Sequence, residues 1–524
     1  MHCSCVRHTD LPHTSALFAD VLYHPDRTAA FYHHPLREFE DFQKAAAEIR
    51  FPAERRAALV AALRERNPDG PALQMLAQPE TVAVVTGQQV GLFSGPSYTL
   101  YKVLHAIKLA EWLTGRGIPA VPVFWLATED HDFAEVNHAW IFDRMYTPIK
   151  LEMRRAASAQ PVGGVALANP PLREFRAALH GMPFGEEVAD LVEETYRAGN
   201  TMGQAFSELL RRLLARFDVP QVDPMLPVFR ELAAPALAAA VEQGAELTQR
   251  VLKRNQQLAA AGYHTQVHVE EQTSFFFLLE NGKRLALRRV GEEYILNGRR
   301  FSVGELAARA ASLSPNALLR PVVQDFMLPT VAYIGGPAEV AYLAQSETLY
   351  EAILGRMPLA IPRTGFTILD TRSDKLLTRY GLSLPDFFHG EEALRERVAA
   401  RLAPPALATA MGEATTAVDG AIDRLRRELA GFDPTLAVAL DRSARKMRYQ
   451  LDKVERKAGR EALRRDARAA QDAASLYGLL YPERHLQERL YSILPFLAMH
   501  GLDLVDHVYE AIQLDCVDHR LMVI

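Results

Sequence analysis

Val82-Ala83-Val84-Val85-Thr86-Gly87-Gln88-Gln89-Val90-Gly91-Leu92-Phe93-Ser94-Gly95-Pro96-Ser97-Tyr98-Thr99-Leu100-Tyr101-Lys102 is the stretch that decides the fold of this 524-residue chain. It begins as a β-branched run, passes through a loop rich in glycine, serine and threonine, and ends in an amphipathic helix. In α/β proteins, a buried strand that delivers a glycine loop to a helix N-terminus often forms an anion site. Neither the dinucleotide nor the P-loop fingerprint is present, so an ordinary strand–loop–helix connection stays open as the alternative.

The residues that follow complete a β–α–β unit. The spacing of apolar residues predicts a helix from Ser97 to Thr114, and Gly115 and Gly117 mark its end. Ala120–Ala127 then reads as a second buried strand. Because β–α–β connections are almost always right-handed and parallel, the pattern predicts an α/β core with a parallel sheet.

A loop rich in ionisable residues, Thr128-Glu129-Asp130-His131-Asp132-Phe133-Ala134-Glu135-Val136-Asn137-His138, follows the second strand directly. In an open parallel sheet, ligands bind beyond the carboxyl ends of the strands, so this loop and the glycine loop are expected to form two walls of one cleft. A solvated turn capped by Asp132 is the structural alternative. Metal ligation by Asp130, His131, Asp132 and His138 is another, although their spacing matches no zincin motif.

Composition narrows the class of protein. A chain of 524 residues is too long for one compact core. The formal charge of −5 argues against a general nucleic-acid or membrane-surface binder. The three cysteines, Cys3, Cys5 and Cys516, show no disulfide framework, and the first two are expected to lie in a frayed terminus. No apolar run approaches the ~18 residues of a membrane span, so a cytoplasmic protein is expected.

Pattern changes along the chain predict the domain organisation. Residues 1–150 are expected to form the first half of the core, 151–315 inserted subdomains with hairpins turning at Asn281-Gly282 and Asn297-Gly298, and 316–390 the second half. Val219–Asp223 is a candidate core strand inside the insertion. Residues 476–524 are expected to return to the core, as a helix from Leu476 to His500 and a short strand at Leu521–Ile524.

Residues 391–475 carry a heptad pattern. Apolar residues recur at alternating four- and three-residue steps on two helices that flank Gly431-Phe432-Asp433-Pro434. This pattern predicts an antiparallel coiled-coil hairpin. The second helix is strongly basic, which a solvated flank explains most simply, while an anionic partner is the alternative.

Several motifs, in this order, resemble those of the cysteine-adding enzymes of bacillithiol biosynthesis, the cysteine ligases. They are Thr86-Gly87-Gln88-Gln89, Ser94-Gly95-Pro96-Ser97-Tyr98-Thr99-Leu100-Tyr101-Lys102, Phe124-Trp125-Leu126-Ala127-Thr128-Glu129-Asp130-His131-Asp132-Phe133, Arg320-Pro321-Val322-Val323-Gln324-Asp325 and Gly336-Pro337-Ala338-Glu339-Val340-Ala341-Tyr342. The match covers effectively the whole chain.

The resemblance implies a Rossmann-like core related to class I aminoacyl-tRNA synthetases and nucleotidylyltransferases, with inserted connective subdomains. It also implies a C-terminal coiled-coil domain that supports a homodimer. The implied reaction joins the carboxyl group of cysteine to the amine of glucosaminyl-malate, and ATP or ADP is the implied cofactor. The synthetase signatures HIGH and KMSKS are absent, so a nucleotidyltransferase or nucleotide-binding scaffold acting on another substrate stays open as the alternative.

The residues expected to face the predicted cleft are the predicted site residues. His131, oriented by Asp130 or Asp132, is predicted to take the proton from the attacking amine, because an imidazole pKa suits that work. No metal ligand and no nucleic-acid contact is predicted. The residues predicted to bind substrate or phosphate are Thr86, Gly87, Gln88, Gln89, Ser94, Gly95, Ser97, Tyr98, Lys102, Trp125, Glu129, His138, Arg320, Gly336 and Glu339.

Overall fold

The computed structural model describes residues 2–154 and 159–524, which divide into two compact units. The first unit comprises Met1–Arg144, Pro148–Ile368 and Glu488–Met522, and the second comprises Met145–Thr147, Leu369–Gln487 and Val523–Ile524. The finer boundaries predicted from the sequence stay predictions. Among the described residues, none of the helices combines the length and the apolar character that a membrane span requires.

The strands and α-helices of the described residues are numbered in chain order. The strands are β1 (His2–Val6), β2 (Val82–Gln89), β3 (Ala120–Ala127), β4 (His138–Phe142), β5 (Pro148–Glu152), β6 (Gln221–Val222), β7 (Thr273–Glu280), β8 (Lys283–Val290), β9 (Glu293–Leu296), β10 (Arg299–Ser302), β11 (Leu313–Pro315), β12 (Thr330–Gly335), β13 (Leu359–Pro362), β14 (Phe366–Leu369) and β15 (His519–Val523). The helices are α1 (Ala16–Tyr23), α2 (Pro25–Thr28), α3 (Phe39–Glu48), α4 (Ala53–Arg64), α5 (Pro71–Leu76), α6 (Tyr98–Thr114), α7 (Phe133–Val136), α8 (Leu172–Leu179), α9 (Gly185–Thr195), α10 (Met202–Leu213), α11 (Pro227–Glu242), α12 (Gly244–Ala260), α13 (Val303–Ala307), α14 (Arg320–Met327), α15 (Pro337–Leu354), α16 (Thr371–Tyr380), α17 (Leu384–Phe387), α18 (Glu391–Leu402), α19 (Pro405–Phe432), α20 (Pro434–Arg465), α21 (Ala467–Leu480), α22 (Gln487–Leu490), α23 (Leu494–His500) and α24 (Leu504–Ala511).

A five-stranded parallel sheet in the order β13–β12–β2–β3–β6 forms the core of the first unit. The predicted β2–α6–β3 unit is confirmed, and β12–α15–β13 repeats the arrangement on the other side of β2. The candidate strand at Val219–Asp223 is confirmed as β6, where Gln221 and Val222 pair with β3. The prediction of a Rossmann-like α/β core is therefore confirmed.

Helices pack against both faces of this sheet, and the apolar side chains of β2 point alternately to the two faces. Val82 and Val84 pack in a buried cluster with Leu109 of α6, whereas Ala83 and Val85 belong to a separate buried cluster that includes residues of α4 and α5. Successive side chains of a strand point to opposite faces, so a strand of continuous apolar residues is the signature of a sheet buried on both sides.

The inserted region contains a second sheet, in the order β10–β9–β8–β7–β11, with antiparallel neighbours. Both predicted hairpin turns are confirmed. Asn281 and Gly282 have φ angles of 55° and 70°, and Asn297 and Gly298 have 49° and 81°. Two successive positive φ angles are what a two-residue hairpin turn requires, which explains the Asn-Gly pairs.

Two predictions at the chain ends are wrong. Residues 2–6 form β1 rather than a frayed terminus, and β1 lies beside β15 in a three-stranded sheet completed by β14. The strand predicted at Leu521–Ile524 therefore exists, but in this smaller sheet. The helix predicted from Leu476 to His500 is broken into α21, α22 and α23. Pro482 lacks an N–H, and Glu483 and Arg484 have positive φ angles, so the helix cannot continue there.

The second unit contains the coiled-coil hairpin of α19 and α20. Arg426 pairs with Asp441 at 2.9 Å and Arg448 pairs with Asp419 at 2.7 Å, an arrangement that requires antiparallel helices. Ile422, Leu440 and Ala444 are buried in the seam with Val418 and Leu429 packed against them. The prediction of a C-terminal coiled-coil domain is confirmed.

Candidate functional site

A cleft of about 610 Å³ opens in the first unit at the carboxyl edge of the core sheet. Residues 87–89 of β2, Trp125 and Ala127 of β3, residues 336–339 after β12, and Arg363 after β13 line it. In open parallel sheets this edge is where ligands bind.

The cleft brings together only part of the predicted site. The predicted residues that line it are Gly87, Gln88, Gln89, Tyr98, Trp125, Glu129, Asp130, Arg320, Gly336 and Glu339. The predicted residues that do not are Thr86, Ser94, Gly95, Ser97, Lys102, His131, Asp132 and His138. The roles assigned to individual residues from the sequence stay predictions, and the contacts described next show what each side chain is placed to do.

Lys102 forms a buried ion pair behind the cleft wall. Its ammonium, which is fully buried, donates to both carboxylate oxygens of Glu339 at 2.7 and 2.9 Å and to the backbone carbonyl of Gly87. The Tyr333 hydroxyl and the Gly336 N–H also donate to that carboxylate, at 2.6 and 2.8 Å. Burial lowers the pKa of Lys102. Burial alone would raise the pKa of Glu339, but the adjacent ammonium lowers it, so the carboxylate is charged at neutral pH.

Arg320 is a cation whose partners are neutral. Its guanidinium donates to Gln324 Oε1 at 2.9 Å and to the hydroxyls of Tyr342 and Tyr333 at 3.1 and 3.3 Å. Among the described residues, no carboxylate lies within ion-pair distance of it. A guanidinium that lines a cleft without a carboxylate partner is suited to bind an anionic group of a ligand.

Arg489 is a second such cation, and both it and Arg363 lie over the Tyr98 ring. Arg363 forms a buried bidentate pair with Glu488 at 2.6 and 2.8 Å, so its charge is neutralised within the protein. Burial alone would raise the pKa of Glu488, but Arg363 lowers it to about 2. Arg489 is exposed, and its guanidinium lies 5.9 Å from the centre of the Tyr98 ring. Across residues 2–154 and 159–524, no carboxylate pairs with it.

The glycine-containing segment after Val85 was predicted as a loop, but its first part is a strand. β2 continues through Gly87 to Gln89, because each of its residues pairs in register with β3 as far as Ala127. The glycines serve packing between protein segments. A Cβ on Gly87 would lie 2.9 Å from the Cβ and carbonyl oxygen of Trp125, and a Cβ on Gly91 would lie 2.9 Å from the Cα of Gly95.

Polar groups predicted to face phosphate have partners within the protein. The Thr86 hydroxyl donates to the Ile334 carbonyl at 2.8 Å. The backbone N–H and the hydroxyl of Ser97 both donate to the Tyr491 carbonyl at 2.7 Å. The Ser94 hydroxyl lies 3.2 Å from that of Ser492. These bonds tie the loop before α6 to other parts of the first unit, and of residues 94–98 only Tyr98 lines the cleft.

Glu129 presents a buried carboxylate oxygen at the opposite side of the cleft. Its Oε2 accepts from Ser314 at 2.8 Å and pairs with Arg230 at 3.3 Å. Its Oε1 and the nearby Trp125 Nε1 are buried without a hydrogen-bond partner among the described residues. Unsatisfied buried polar atoms are rare in proteins, and both residues line the cleft, so they are candidates to bind polar groups of a ligand.

Asp130 is held as a charged carboxylate. It accepts from Gln89 at 2.6 Å and from the backbone N–H of His131 at 2.7 Å, and Arg284 lies 3.7 Å away. Burial alone would raise the pKa of Asp130, but these donors and the nearby guanidinium lower it. Gln89 also donates to Glu135 at 2.9 Å, which places a second carboxylate on the same wall.

His131 does not line the cleft, but its ring contacts Arg284, which does. Its Nδ1 lies 3.0 Å from the Arg284 guanidinium. Because a guanidinium only donates, Nδ1 accepts and Nε2 carries the proton of the neutral ring. Asp132 precedes the short helix α7, and His138 Nδ1 lies 3.2 Å from the side-chain oxygen of Asn137.

Four charged residues that line the cleft are not among the predicted site residues: Glu135, Arg284, Arg363 and Arg489. Arg284 belongs to the inserted hairpin and Arg489 to the segment that was predicted as a continuous helix. Both come to the cleft over long sequence separations, and no local pattern marks them. Glu135 lies within the predicted acidic loop and could have been included with its neighbours.

The alternative of a metal site gains no support from the geometry. Within the described part of the chain, no three side chains of histidine, cysteine, aspartate or glutamate converge as metal ligands do. Asp130 is instead surrounded by donors from Gln89 and the backbone.

Comparison with known proteins gives a consistent result. Residues 1–364 match the family model of the N-terminal Rossmann-like domain of bacillithiol biosynthesis BshC, and residues 366–524 match that of its C-terminal coiled-coil domain. Curated relatives from three bacteria carry the name "Putative cysteine ligase BshC". The protein of Solibacter usitatus is 70% identical over 524 residues, covering 100% of both chains. That of Koribacter versatilis is 36% identical, covering 99% of both chains, and that of Symbiobacterium thermophilum is 31% identical, covering 93% of this chain and 94% of the relative.

The two family models together span nearly all of the sequence, and they correspond to the parallel-sheet core and the coiled-coil hairpin seen in the structure. The relatives named above are aligned along almost their full lengths. This chain therefore belongs to the BshC family of bacillithiol biosynthesis, whose curated members are named as cysteine ligases.

Proposed function

We propose that this protein joins the carboxyl carbon of cysteine to the amine of glucosaminyl-malate, forming an amide and giving bacillithiol. The observation that carries the proposal is the separation of charge along the cleft. On the β12 and β13 side, four cations (Lys102, Arg320, Arg363 and Arg489) stand against two carboxylates, Glu339 and Glu488. On the β3 side, three carboxylates line the wall, those of Glu129, Asp130 and Glu135. They stand against two guanidiniums, since Arg230 pairs with Glu129 and Arg284 lies 3.7 Å from Asp130.

The cationic side suits the two carboxylates of a malyl group. The ion pairs neutralise Lys102 and Arg363, which leaves the charges of Arg320 and Arg489 for a ligand. A guanidinium binds a carboxylate through two parallel N–H donors, which gives geometric selectivity as well as affinity. We therefore assign recognition of the acceptor's carboxylates to Arg320 and Arg489.

The acidic side suits an amine. Glu129 Oε1 is a buried acceptor without a partner in the described part of the chain, and Asp130 is a charged acceptor beside it. Both would attract an ammonium group and orient the amine formed when it loses a proton. The attacking amine must be neutral, and a carboxylate or imidazole within reach can accept its proton. Of the three predicted catalytic residues, only Asp130 lines the cleft, so we assign both the orientation of the amine and the acceptance of its proton to Asp130. We do not assign the predicted role of base to His131, because its acceptor nitrogen, Nδ1, is bonded to Arg284.

Positioning of the two substrates supplies the remaining contribution to the rate acceleration. An amine and a carboxyl carbon held in attack geometry gain several kcal/mol over free reactants, on the order of 7–11 kcal/mol in the most favourable cases. Formation of an amide also requires activation of the carboxyl group, for which ATP stays a proposal. The residues predicted to hold phosphate do not fit that group, because Ser97 bonds to Tyr491 and Lys102 is neutralised by Glu339. No step is therefore routed through a nucleotide.

Arg489→Met tests the assignment. Loss of a charge-assisted bond of about 1.5–3 kcal/mol predicts a KM for glucosaminyl-malate raised by roughly 10- to 100-fold, with the KM for cysteine little changed. Arg116→Met is the matched control, because Arg116 is also exposed and stacks on an aromatic ring, Trp112, but does not line the cleft. An unchanged KM in Arg489→Met would remove this arginine from acceptor recognition. Binding of nucleotides without any product from the wild type would favour a nucleotide-binding scaffold.

We also infer that the protein forms a homodimer through its coiled coil. Part of the predicted heptad seam is not covered within the hairpin, since Leu425, Met447 and Val454 are 51%, 45% and 54% exposed. Apolar residues repeated along a helix face are typical of an association surface. Sedimentation analysis of Met447→Glu combined with Val454→Glu should give a monomer where the wild type gives a dimer. A monomeric wild type would contradict the inference.

A further inference from the structure

Two of the three cysteines of the chain, Cys5 and Cys516, are in contact in the folded protein although they lie at opposite ends of the sequence. Cys5 Sγ is 3.6 Å from Cys516 Sγ, across a sequence separation of 511 residues. Cys5 belongs to β1, and Cys516 comes shortly before β15, the neighbour of β1 in the three-stranded sheet. The pairing of these strands therefore brings the two thiols together.

The contact is close to the geometry of a covalent bond. A disulfide has an S–S distance of about 2.05 Å, so the sulfurs need to approach by roughly 1.5 Å. Cys5 is exposed and Cys516 is partly exposed, so a small oxidant can reach the pair. Both residues belong to the first unit, and no residue of the cleft takes part.

We propose that Cys5 and Cys516 form a thiol–disulfide exchange site that takes low-molecular-weight disulfides and closes reversibly into an intramolecular disulfide. The Cys5 thiolate attacks one sulfur of a small disulfide RSSR, forming a mixed disulfide and releasing one RS⁻. The Cys516 thiol then loses its proton to the solvent and attacks Cys5 Sγ, forming the Cys5–Cys516 bond and releasing the second RS⁻. The two protein thiols lose two electrons and two protons, and the small disulfide gains them as two RSH.

The order of the two attacks follows from exposure. Cys5 is the more accessible sulfur, whereas burial raises the pKa of Cys516 and keeps it mainly as a thiol. The first attack therefore falls to Cys5, and Cys516 serves as the resolving cysteine. Reduced small thiols reverse both steps, which is compatible with a reducing compartment. The proposal stands independently of the ligase reaction.

Cys3 provides the matched control. It lies two residues before Cys5 on β1, is partly buried, and its pKa is also raised by burial. It shares the strand and the chemistry but has no sulfur contact of the kind that joins Cys5 to Cys516 in the described structure. A site built by the Cys5–Cys516 contact should therefore survive Cys3→Ser and be lost in Cys5→Ser.

The test uses the full chain incubated with cystine, then alkylated, digested with trypsin without reduction and examined by mass spectrometry. We expect wild type and Cys3→Ser each to lose two alkylatable thiols and to show the residue 2–7 region linked to the peptide containing Cys516. Dithiothreitol should restore both thiols. Tryptophan fluorescence confirms that each variant is folded.

Three results would overturn the proposal. The first is a wild type that keeps three alkylatable thiols after cystine treatment. The second is a stable mixed disulfide on Cys5 while Cys516 is still alkylated. The third is a cross-link that persists in Cys5→Ser or disappears in Cys3→Ser, either of which would assign the reaction to Cys3.

Discussion

The Lys102–Glu339 pair allows a quantitative test of how the cleft wall is held. Lys102 is fully buried, and Glu339 supplies its only carboxylate within the described structure. Glu339→Gln keeps the size of the side chain and one acceptor oxygen but leaves a buried ammonium without a counter-charge. Breaking a buried pair in this way costs about 3–5 kcal/mol, and we expect the lower end because Gln still accepts one bond.

Removal of Lys102 should lower the free energy of unfolding by less than the Glu339→Gln substitution does. In Lys102→Met, the Glu339 carboxylate keeps the Tyr333 hydroxyl and the Gly336 N–H as donors, and its side chain is 21% exposed to water. The double variant removes both charges. Because the two groups are in contact, we expect its loss of stability to be smaller than the sum of the single losses by about 1–3 kcal/mol.

Urea titration followed by tryptophan fluorescence measures these losses. All three tryptophans, Trp112, Trp125 and Trp140, lie in the first unit, so the signal reports the unit that contains the pair. Free energies of unfolding follow by linear extrapolation. A Glu339→Gln variant as stable as the wild type, or strictly additive losses in the double variant, would refute the reasoning.

Three further predictions concern packing, pH and helix capping. Gly87→Ala places a methyl group 2.9 Å from the Cβ and carbonyl oxygen of Trp125, so we expect a loss of about 1–3 kcal/mol by the same urea titration. The folded-state pKa of Glu488 is depressed from 4.5 to about 2, so the stability from its pair with Arg363 is present above pH 4.5 and is lost as pH falls toward 2. Glu488→Gln should remove about 3 kcal/mol of that acid dependence, seen in unfolding midpoints across this range. Thr201 caps α10, and Thr201→Ala should lower thermal stability by about 1 kcal/mol in calorimetry.

The sequence was sufficient for the parts of the fold that local patterns determine. The apolar runs at Val82 and Ala120, the helix between them and the Asn-Gly turns at 281–282 and 297–298 all have unambiguous periodicity or turn chemistry. The core sheet follows from them. The break in the predicted helix at Pro482 could have been predicted, because proline lacks the N–H that a helix interior needs.

The candidate site was less accessible to sequence reasoning. The carboxyl edge of the predicted sheet is where Gly87, Asp130 and Glu339 line one cleft, and the roles predicted for them stay predictions. Local pattern could not show that Lys102 is neutralised, since its partner lies 237 residues away. Nor could it place Arg489 in the cleft, because that depends on how Glu488–Met522 packs within the first unit, far along the chain from the core strands.

Condensation of the two substrates tests the central claim most directly. Purified protein is incubated with cysteine and glucosaminyl-malate in the presence of ATP, of ADP and of neither, and the products are separated and weighed by liquid chromatography–mass spectrometry. We predict a product with the summed mass of the two substrates less one water, formed more slowly by Arg489→Met at low acceptor concentration. Absence of that product under all three conditions, with folded protein that binds glucosaminyl-malate, would contradict the account.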